Sequence, residues 1–225
     1  PIPGVSDARE MPDQAQLLYS QIMLAQANND DKQVVSLLEQ FQQRFPSLAI
    51  GFLLAAEWYQ QQQNWLLAES FYAQAVLKSA PGSYDYMLSN ARLAALQQQF
   101  VLADTHYQQL LQAKPFDTQL TLEYVGFLSQ QNRYLDASKQ LQQLALIDKT
   151  NPEIFLQLGK LAIRTGEINR AVDDYLLQAQ VLYKRLKNPA GLADTLNAVG
   201  VAMQRLGKFS EAAPYYQEAL QFFKQ

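Results

Sequence analysis

The feature that most constrains this sequence is a repeat of about 34 residues. Small residues recur along the chain at steps of 33, 35, 34, 34 and 41 residues, at Val35, Ala68, Ala103, Ala137, Ala171 and Ala212. A bulky residue precedes most of them by three places, and an aromatic residue or leucine follows most of them by four. A unit of this length cannot bury its apolar surface alone, so successive units are expected to stack on one another.

Each unit is predicted to contain two helices and a turn, and the last unit shows the pattern best. The first helical stripe, with spacings of three and four residues, consists of Leu196, Val199, Gly200 and Met203. Gly207 follows where that helix would end in the left-handed conformation that glycine adopts easily. Ala212, Tyr216 and Ala219 form a second stripe, and Gly200 leaves room for Tyr216 between the two helices.

These positions resemble the tetratricopeptide repeat (TPR) family. The family pattern is a bulky residue, Leu-Gly, an aromatic residue, a glycine turn, alanine, an aromatic residue, alanine and a closing proline. The fifth unit carries it at Phe155, Leu158, Gly159, Gly166, Ala171 and Tyr175. In the three middle units, the first-helix glycine is replaced by Ala56, Ala91 and Val125.

The resemblance implies an all-α fold, a right-handed α-solenoid of about six TPR-like helix-turn-helix repeats, and favours a bacterial TPR-containing protein. We expect a flexible N-terminal segment over residues 1–12 and a repeat domain over 13–225. The repeats are expected at 13–46, 47–82, 83–116, 117–151, 152–188 and 189–225. We attribute the 41-residue step to about two extra turns in the second helix of the fifth repeat.

Composition excludes several classes of function. The chain has no cysteine, so disulfides, thiolate metal sites and cysteine nucleophiles are excluded. Its formal net charge is −3, without the basic excess that nucleic acid binding requires. No apolar run approaches the roughly 20 residues of a membrane span, so we predict no direct membrane insertion.

No pattern typical of an active site is present. The single histidine, His106, is not surrounded by acidic residues at ligand spacing, and no glycine-rich phosphate loop occurs. We therefore predict a protein that is not an enzyme, with no catalytic residue, no metal and no cofactor.

The resemblance places a binding groove on the concave face, along first-helix residues that do not pack between helices. Alignment of the repeats puts one row of leucines there, Leu53, Leu88, Leu122 and Leu156, and Asn197 continues it. Charged residues flank this row at Glu57, Asp85, Arg92, Glu153, Lys160, Arg164, Asp194 and Arg205. The leucines are interpreted as apolar anchors and the charged residues as selectors of a bound segment. The alternative is that the leucines pack against neighbouring helices.

The predicted function is a non-catalytic protein–protein interaction scaffold or adaptor that holds a peptide or helix of another protein in this groove. The alternative is a sensory or regulatory TPR region of a larger signalling protein or transcription regulator. Because the chain starts at Pro1 and stops at Phe222-Phe223-Lys224-Gln225 without a polar capping helix, we expect a fragment of a longer protein, or a homo-oligomer formed through that end. The cytoplasm is favoured as the compartment, with the periplasm as the alternative.

Overall fold

A computed structural model describes residues 11–223, and every regular element in that range is helical. The chain divides into two compact units, residues 1–115 (unit 1) and residues 116–225 (unit 2). Within the described range, no helix combines the length and the apolar character that crossing a membrane requires.

Unit 1 contains three helix pairs. The helices are α1 (Asp13–Ala27), α2 (Asp31–Arg44), α3 (Ala49–Gln61), α4 (Trp65–Lys78), α5 (Tyr84–Leu96) and α6 (Phe100–Ala113). α2 packs on α1 and α3, α4 packs on α3 and α5, and α6 packs on α5. Fully buried side chains such as Ile22, Phe41 and Tyr72 form the core between them.

Unit 2 also contains three helix pairs, of which the second is interrupted. The elements are α7 (Thr118–Gln130), α8 (Tyr134–Ile147), α9 (Pro152–Thr165), α10 (Ile168–Arg170), a π-helical turn (Ala171–Leu176), α11 (Leu177–Arg185), α12 (Pro189–Arg205) and α13 (Phe209–Phe223). One helix pair therefore lies within each of the six segments expected from the repeat. Most of the predicted flexible segment, residues 1–12, lies outside the described residues. At its end, Met11 is buried, and the carbonyl of Pro12 accepts hydrogen bonds from the amides of Ala15 and Gln16.

Polar residues at the repeat boundaries start the helices because their side chains accept hydrogen bonds from otherwise unpaired amides. The Asp117 carboxylate accepts from the amide of Leu120 at 3.0 Å, and the Asn151 side chain accepts from the amide of Glu153 at 3.1 Å. Gly207 is left-handed with φ of 75°, as predicted, and Gly166 ends α9 in the same conformation.

The extra residues of the fifth repeat are not where the sequence places them. α10, the π-helical turn and α11 together cover residues 168–185, only about one turn more than the 14 residues of α8. The next helix, α12, has 17 residues against 14 in α9. The prediction of two extra turns in one helix is therefore wrong, because the insertion is shared between two successive helices.

Two glycines in unit 2 allow helices to approach closely. A Cβ atom on Gly159 would lie 2.4 Å from Cδ2 of Leu176, in the π-helical turn, and one on Gly200 would lie 2.7 Å from the ring of Tyr216. The expected packing of Tyr216 against Gly200 is confirmed.

Candidate functional site

A cavity of about 510 Å³ opens in unit 2. Its walls come from α7, α9 and α12, the first helices of three successive pairs. The lining residues are Leu122, Val125, Gly126, Ser129, Glu153, Gln157, Lys160, Leu161, Ile163, Arg164, Asp194, Asn197, Ala198, Val201 and Arg205. A cavity of this volume lies within the range of pockets that hold small ligands or short peptide segments.

The lining follows from helical geometry. Residues spaced by four, three and four positions form a single stripe along a helix. The stripe on α9 consists of Glu153, Gln157, Lys160 and Arg164, and the stripe on α12 consists of Asp194, Ala198, Val201 and Arg205. Corresponding residues are 41 positions apart, which is the step of the repeat between Ala171 and Ala212. The same face of two successive first helices therefore lines the cavity.

The charges of the cavity are separated along these helices. Glu153 and Asp194 lie towards the N-terminal ends of α9 and α12, whereas Arg164 and Arg205 lie at the C-terminal ends. Each acid precedes its arginine by eleven residues, which corresponds to about 16 Å along a helix. Acids near an N-terminus and cations near a C-terminus are also favoured by the helix dipole.

A buried tyrosine orients the acidic end of the cavity. The Tyr183 hydroxyl donates to Glu153 Oε2 at 2.6 Å, and Gln157 Nε2 donates to Glu153 Oε1 at 2.6 Å. Burial raises the pKa of Tyr183, as do its hydrogen bond to Glu153 and the charges of Glu153 and Asp194, so the hydroxyl remains protonated and donates. The first turn of α12 closes over the ring, since a Cβ on Gly191 would lie 2.1 Å from it.

The repeat pattern of the sequence does not single out Tyr183. The signal that could have pointed to it is the 41-residue step, because Tyr183 lies on α11, in the part of the fifth repeat that the other repeats lack. Its position depends on the π-helical turn before it, which the periodicity does not reveal.

The basic end holds three cations that are not paired with acids of the cavity. Arg164 donates to the Tyr134 hydroxyl at 3.4 Å and lies 5.5 Å from the centre of that ring, while Arg205 donates to the carbonyl of Ile163 at 3.0 Å. Lys160 is half-buried, and its amine has neither a hydrogen bond nor an ion pair within the described part of the chain. A half-buried amine without a partner is costly unless a ligand or water satisfies it.

The cavity brings together seven of the thirteen predicted groove residues, namely Leu122, Glu153, Lys160, Arg164, Asp194, Asn197 and Arg205. Three predicted anchors are elsewhere. Leu53, Leu88 and Leu156 are only 1%, 2% and 1% exposed, so the expectation of an exposed leucine row is wrong for them. Leu156 is rotated by about 70° from the α9 stripe and faces the packed neighbours, because each residue turns a helix by about 100°. The alternative that these leucines pack between helices is correct for these three.

The remaining predicted residues lie in unit 1. Glu57 and Arg92 form an ion pair with each other, and Arg92 is largely buried. Burial raises the pKa of Asp85 to about 6, against the opposing charge of Lys114. None of these three residues lines the cavity of unit 2.

The described residues contain neither a group of metal ligands nor a histidine in the cavity. Across residues 11–223, no group of three or more His, Asp or Glu side chains is placed to hold a metal ion. His106 lies on α6 of unit 1 and does not line the cavity, and its buried Nδ1 lacks a hydrogen-bond partner among the described residues.

No protein-family model matches the sequence, and no curated protein matches it. Solved structures do match. PilW, a widely conserved type IV pilus biogenesis factor, has a TM-score of 0.73 and 17% identity over 96% of this chain and 100% of its own. PilF of Pseudomonas aeruginosa has a TM-score of 0.60 and 21% identity over 77% of this chain and 76% of its own. YrrB, a TPR protein with an unusual peptide-binding site, has a TM-score of 0.53 and 14% identity over 82% and 91%.

At these identities the matches establish the fold. The chain has the all-α fold of stacked helix pairs found in TPR proteins, as the repeat spacing predicts. Function must be argued from the cavity itself.

Proposed function

We propose that this protein is a non-catalytic interaction scaffold whose unit 2 cavity binds a peptide segment of another protein. The observation that carries the proposal is the combination, in one cavity, of apolar surface with charged groups that form no ion pair within residues 11–223. A bound segment would cover the apolar surface with its own apolar side chains, and it would form ion pairs with the charged groups.

The apolar surface of the cavity supplies the anchor. Leu122 and Val201 are half-buried on α7 and α12, and Leu161 and Ala198 lie behind them. An apolar side chain that enters the cavity would gain about 25 cal/mol for each Å² of apolar surface removed from water. Among the predicted leucine anchors, Leu122 keeps this role, and we add Val201 to it.

The polar groups support binding rather than chemistry. Ser129 donates its hydroxyl to the carbonyl of Val125 at 2.7 Å, so it is not held by a base. The lining residues include no histidine or cysteine, and their carboxylates lie beside hydrogen-bond donors rather than beside a nucleophile. That arrangement suits recognition of a partner better than acid–base or nucleophilic catalysis.

The structure of YrrB supports the proposal by analogy, since a TPR protein of similar fold carries a peptide-binding site. The alternative of a regulatory region in a larger signalling protein or transcription regulator stays a prediction. The full-length sequence tests it, because such a protein would carry a kinase or DNA-binding segment next to this one.

The proposed function is tested by cross-linking and quantitative pull-down from the source cell. The groove variant is Leu122→Asp/Val201→Asp, and the matched control is Leu135→Asp/Leu146→Asp, two exposed leucines of the same unit outside the cavity. We expect a partner that the wild type and the control retain and the groove variant loses, with helicity by circular dichroism unchanged. A partner bound equally by all three proteins would place the interface outside the cavity.

A second candidate function is a role in type IV pilus biogenesis. It is favoured by PilW, whose whole length matches 96% of this chain. Deletion of the gene in the source cell would then reduce the number of surface pili, and expression of the intact chain would restore it. Unchanged piliation would remove this candidate and leave the scaffold proposal in place.

A further inference from the structure

We infer that the segment held in the unit 2 cavity is bipolar. It places a cationic side chain beside Glu153 and Asp194, an acidic side chain beside Lys160 and Arg164, and an apolar side chain between them. This inference rests on the proposed function and specifies the chemistry of the partner.

The acidic end lacks a cation. Both oxygens of Glu153 accept hydrogen bonds from uncharged donors, Gln157 and Tyr183, and no ion pair joins Glu153 or Asp194 to a cation of the described chain. The two carboxylates line the same cavity at corresponding positions of α9 and α12. Two like charges that share a cavity wall repel each other, and a cationic side chain placed between them would remove that cost.

The basic end lacks an anion in the same way. Arg164 is held by the ring and hydroxyl of Tyr134, Arg205 by a backbone carbonyl, and Lys160 by no described group. None of these partners neutralises the positive charge. Lys160 is half-buried on the α9 stripe, between the acidic end and Arg164, so a ligand carboxylate near its amine would also reach Arg164.

Unit 1 shows what the chain does where such charges are close enough to pair. Glu57 and Arg92 occupy the same place in their repeats as Lys160, and they form an ion pair between α3 and α5, the first helices of two successive pairs. In unit 2, by contrast, the acids and the cations are kept at opposite ends of the cavity walls. A cavity with acids at one end and cations at the other complements a ligand that carries a positive charge at the acidic end and a negative charge at the basic end.

The spacing of the charges sets the length of the segment. Glu153 is seven residues from Lys160 and eleven from Arg164, or about 10 and 16 Å along α9. An extended segment covers that span with about three to five residues. A helical segment needs about seven to eleven residues, as α9 itself does.

The test uses random twelve-residue peptides displayed on phage and selected on the purified 225-residue chain. Enriched peptides are then synthesised, and their binding is measured by fluorescence anisotropy. The charge-reversed variant is Lys160→Glu/Arg164→Glu. The matched control is Lys139→Glu/Lys149→Glu, which changes the net charge equally at two exposed lysines outside the cavity.

We expect enriched peptides with a Lys or Arg and an Asp or Glu separated by three to five positions, the spacing of an extended segment, or by seven to eleven, the spacing of a helix. They should bind the charge-reversed variant at least about ten-fold more weakly and the control as well as the wild type. Replacing the peptide acid by lysine should restore binding to the charge-reversed variant, which a merely misfolded variant could not show.

Two results would overturn the inference separately from the proposed function. Enriched peptides that lack paired opposite charges, or that bind the charge-reversed variant as well as the wild type, would refute the bipolar segment and leave the cavity as a peptide site. If no peptide is enriched, or if Leu122→Asp/Val201→Asp binds the enriched peptides undiminished, the proposed function fails and the inference fails with it.

Discussion

The close approach of Gly159 to Leu176 leads to a prediction with an unusual sign. Replacing a helical glycine by alanine normally stabilises a protein by about 1 kcal/mol, because alanine is the better helix former. In Gly159→Ala, however, the added Cβ would lie 2.4 Å from Cδ2 and 2.6 Å from Cγ of Leu176. Carbon atoms in contact are normally about 3.5–4.0 Å apart.

The magnitude follows from the burial of Leu176. This side chain is fully buried, so it can move only by displacing its neighbours, and overpacking of that kind costs about 1–3 kcal/mol. Subtracting the gain in helix propensity, we expect Gly159→Ala to lower the free energy of unfolding by about 1 kcal/mol.

Gly126→Ala is the matched control. Gly126 lies within α7 of the same unit, is exposed, and has no atom within 4 Å of an added Cβ. This variant should be stabilised by about 1 kcal/mol. The difference between the two variants, about 1–3 kcal/mol, then measures the packing cost.

The assay is urea-induced unfolding of the whole chain, followed by circular dichroism. Because both glycines lie in unit 2, both effects are read from the same transition even if the units unfold separately. A double-mutant cycle with Leu176→Ala completes the test, since removing the leucine side chain should relieve at least about 1 kcal/mol of the Gly159→Ala cost. If Gly159→Ala stabilises as much as Gly126→Ala, or if the cycle shows no coupling, the reasoning from close packing is refuted.

Three further predictions concern single residues. Gly166 has φ of 88°, where an L-residue costs about 1–2 kcal/mol, so Gly166→Ala should lower the melting temperature by several degrees; an unchanged value would contradict a left-handed turn there. Ser89 is fully buried and its hydroxyl has no described hydrogen-bond partner, so Ser89→Ala should raise the free energy of unfolding by about 1 kcal/mol, and a loss would reveal a missed hydrogen bond. Burial raises the pKa of Asp85 from 3.8 to about 6, so the folded state binds the proton more tightly than the unfolded state and stability falls as pH rises through that window. The stability gained in Asp85→Asn should therefore grow between pH 4 and pH 6, by about 1 kcal/mol after allowance for solvent screening, and a gain independent of pH would contradict the shifted pKa.

The site could be predicted only in part from the sequence. Glu153, Lys160 and Arg164 line one cavity, because spacings of seven and four positions place them on one helical stripe, and their role in binding a segment stays a prediction. Leu156 was misplaced, because an alignment of repeats does not say how far each helix is rotated. A rotation of less than one residue separates a lining position from a buried one.

The sequence by itself determined the helix pairs and their boundaries. The 34-residue period and the small residues within it mark the helix pairs. Polar residues at helix starts, such as Asp117 and Asn151, act over a few residues and do not depend on distant contacts. Left-handed turns at Gly166 and Gly207 follow from the same local chemistry, because glycine adopts that conformation without steric cost.

Only the tertiary structure decided which charges pair and which remain apart. Glu57 and Arg92 are 35 residues apart in the chain yet form an ion pair, while Glu153 and Lys160 lie on one helix and do not. Likewise, Tyr183 reaches Glu153 because the insertion is divided between two helices and a π-helical turn precedes α11. These contacts depend on helix rotation and separation, which arise from packing over the whole unit and leave no signal at a fixed spacing in the sequence.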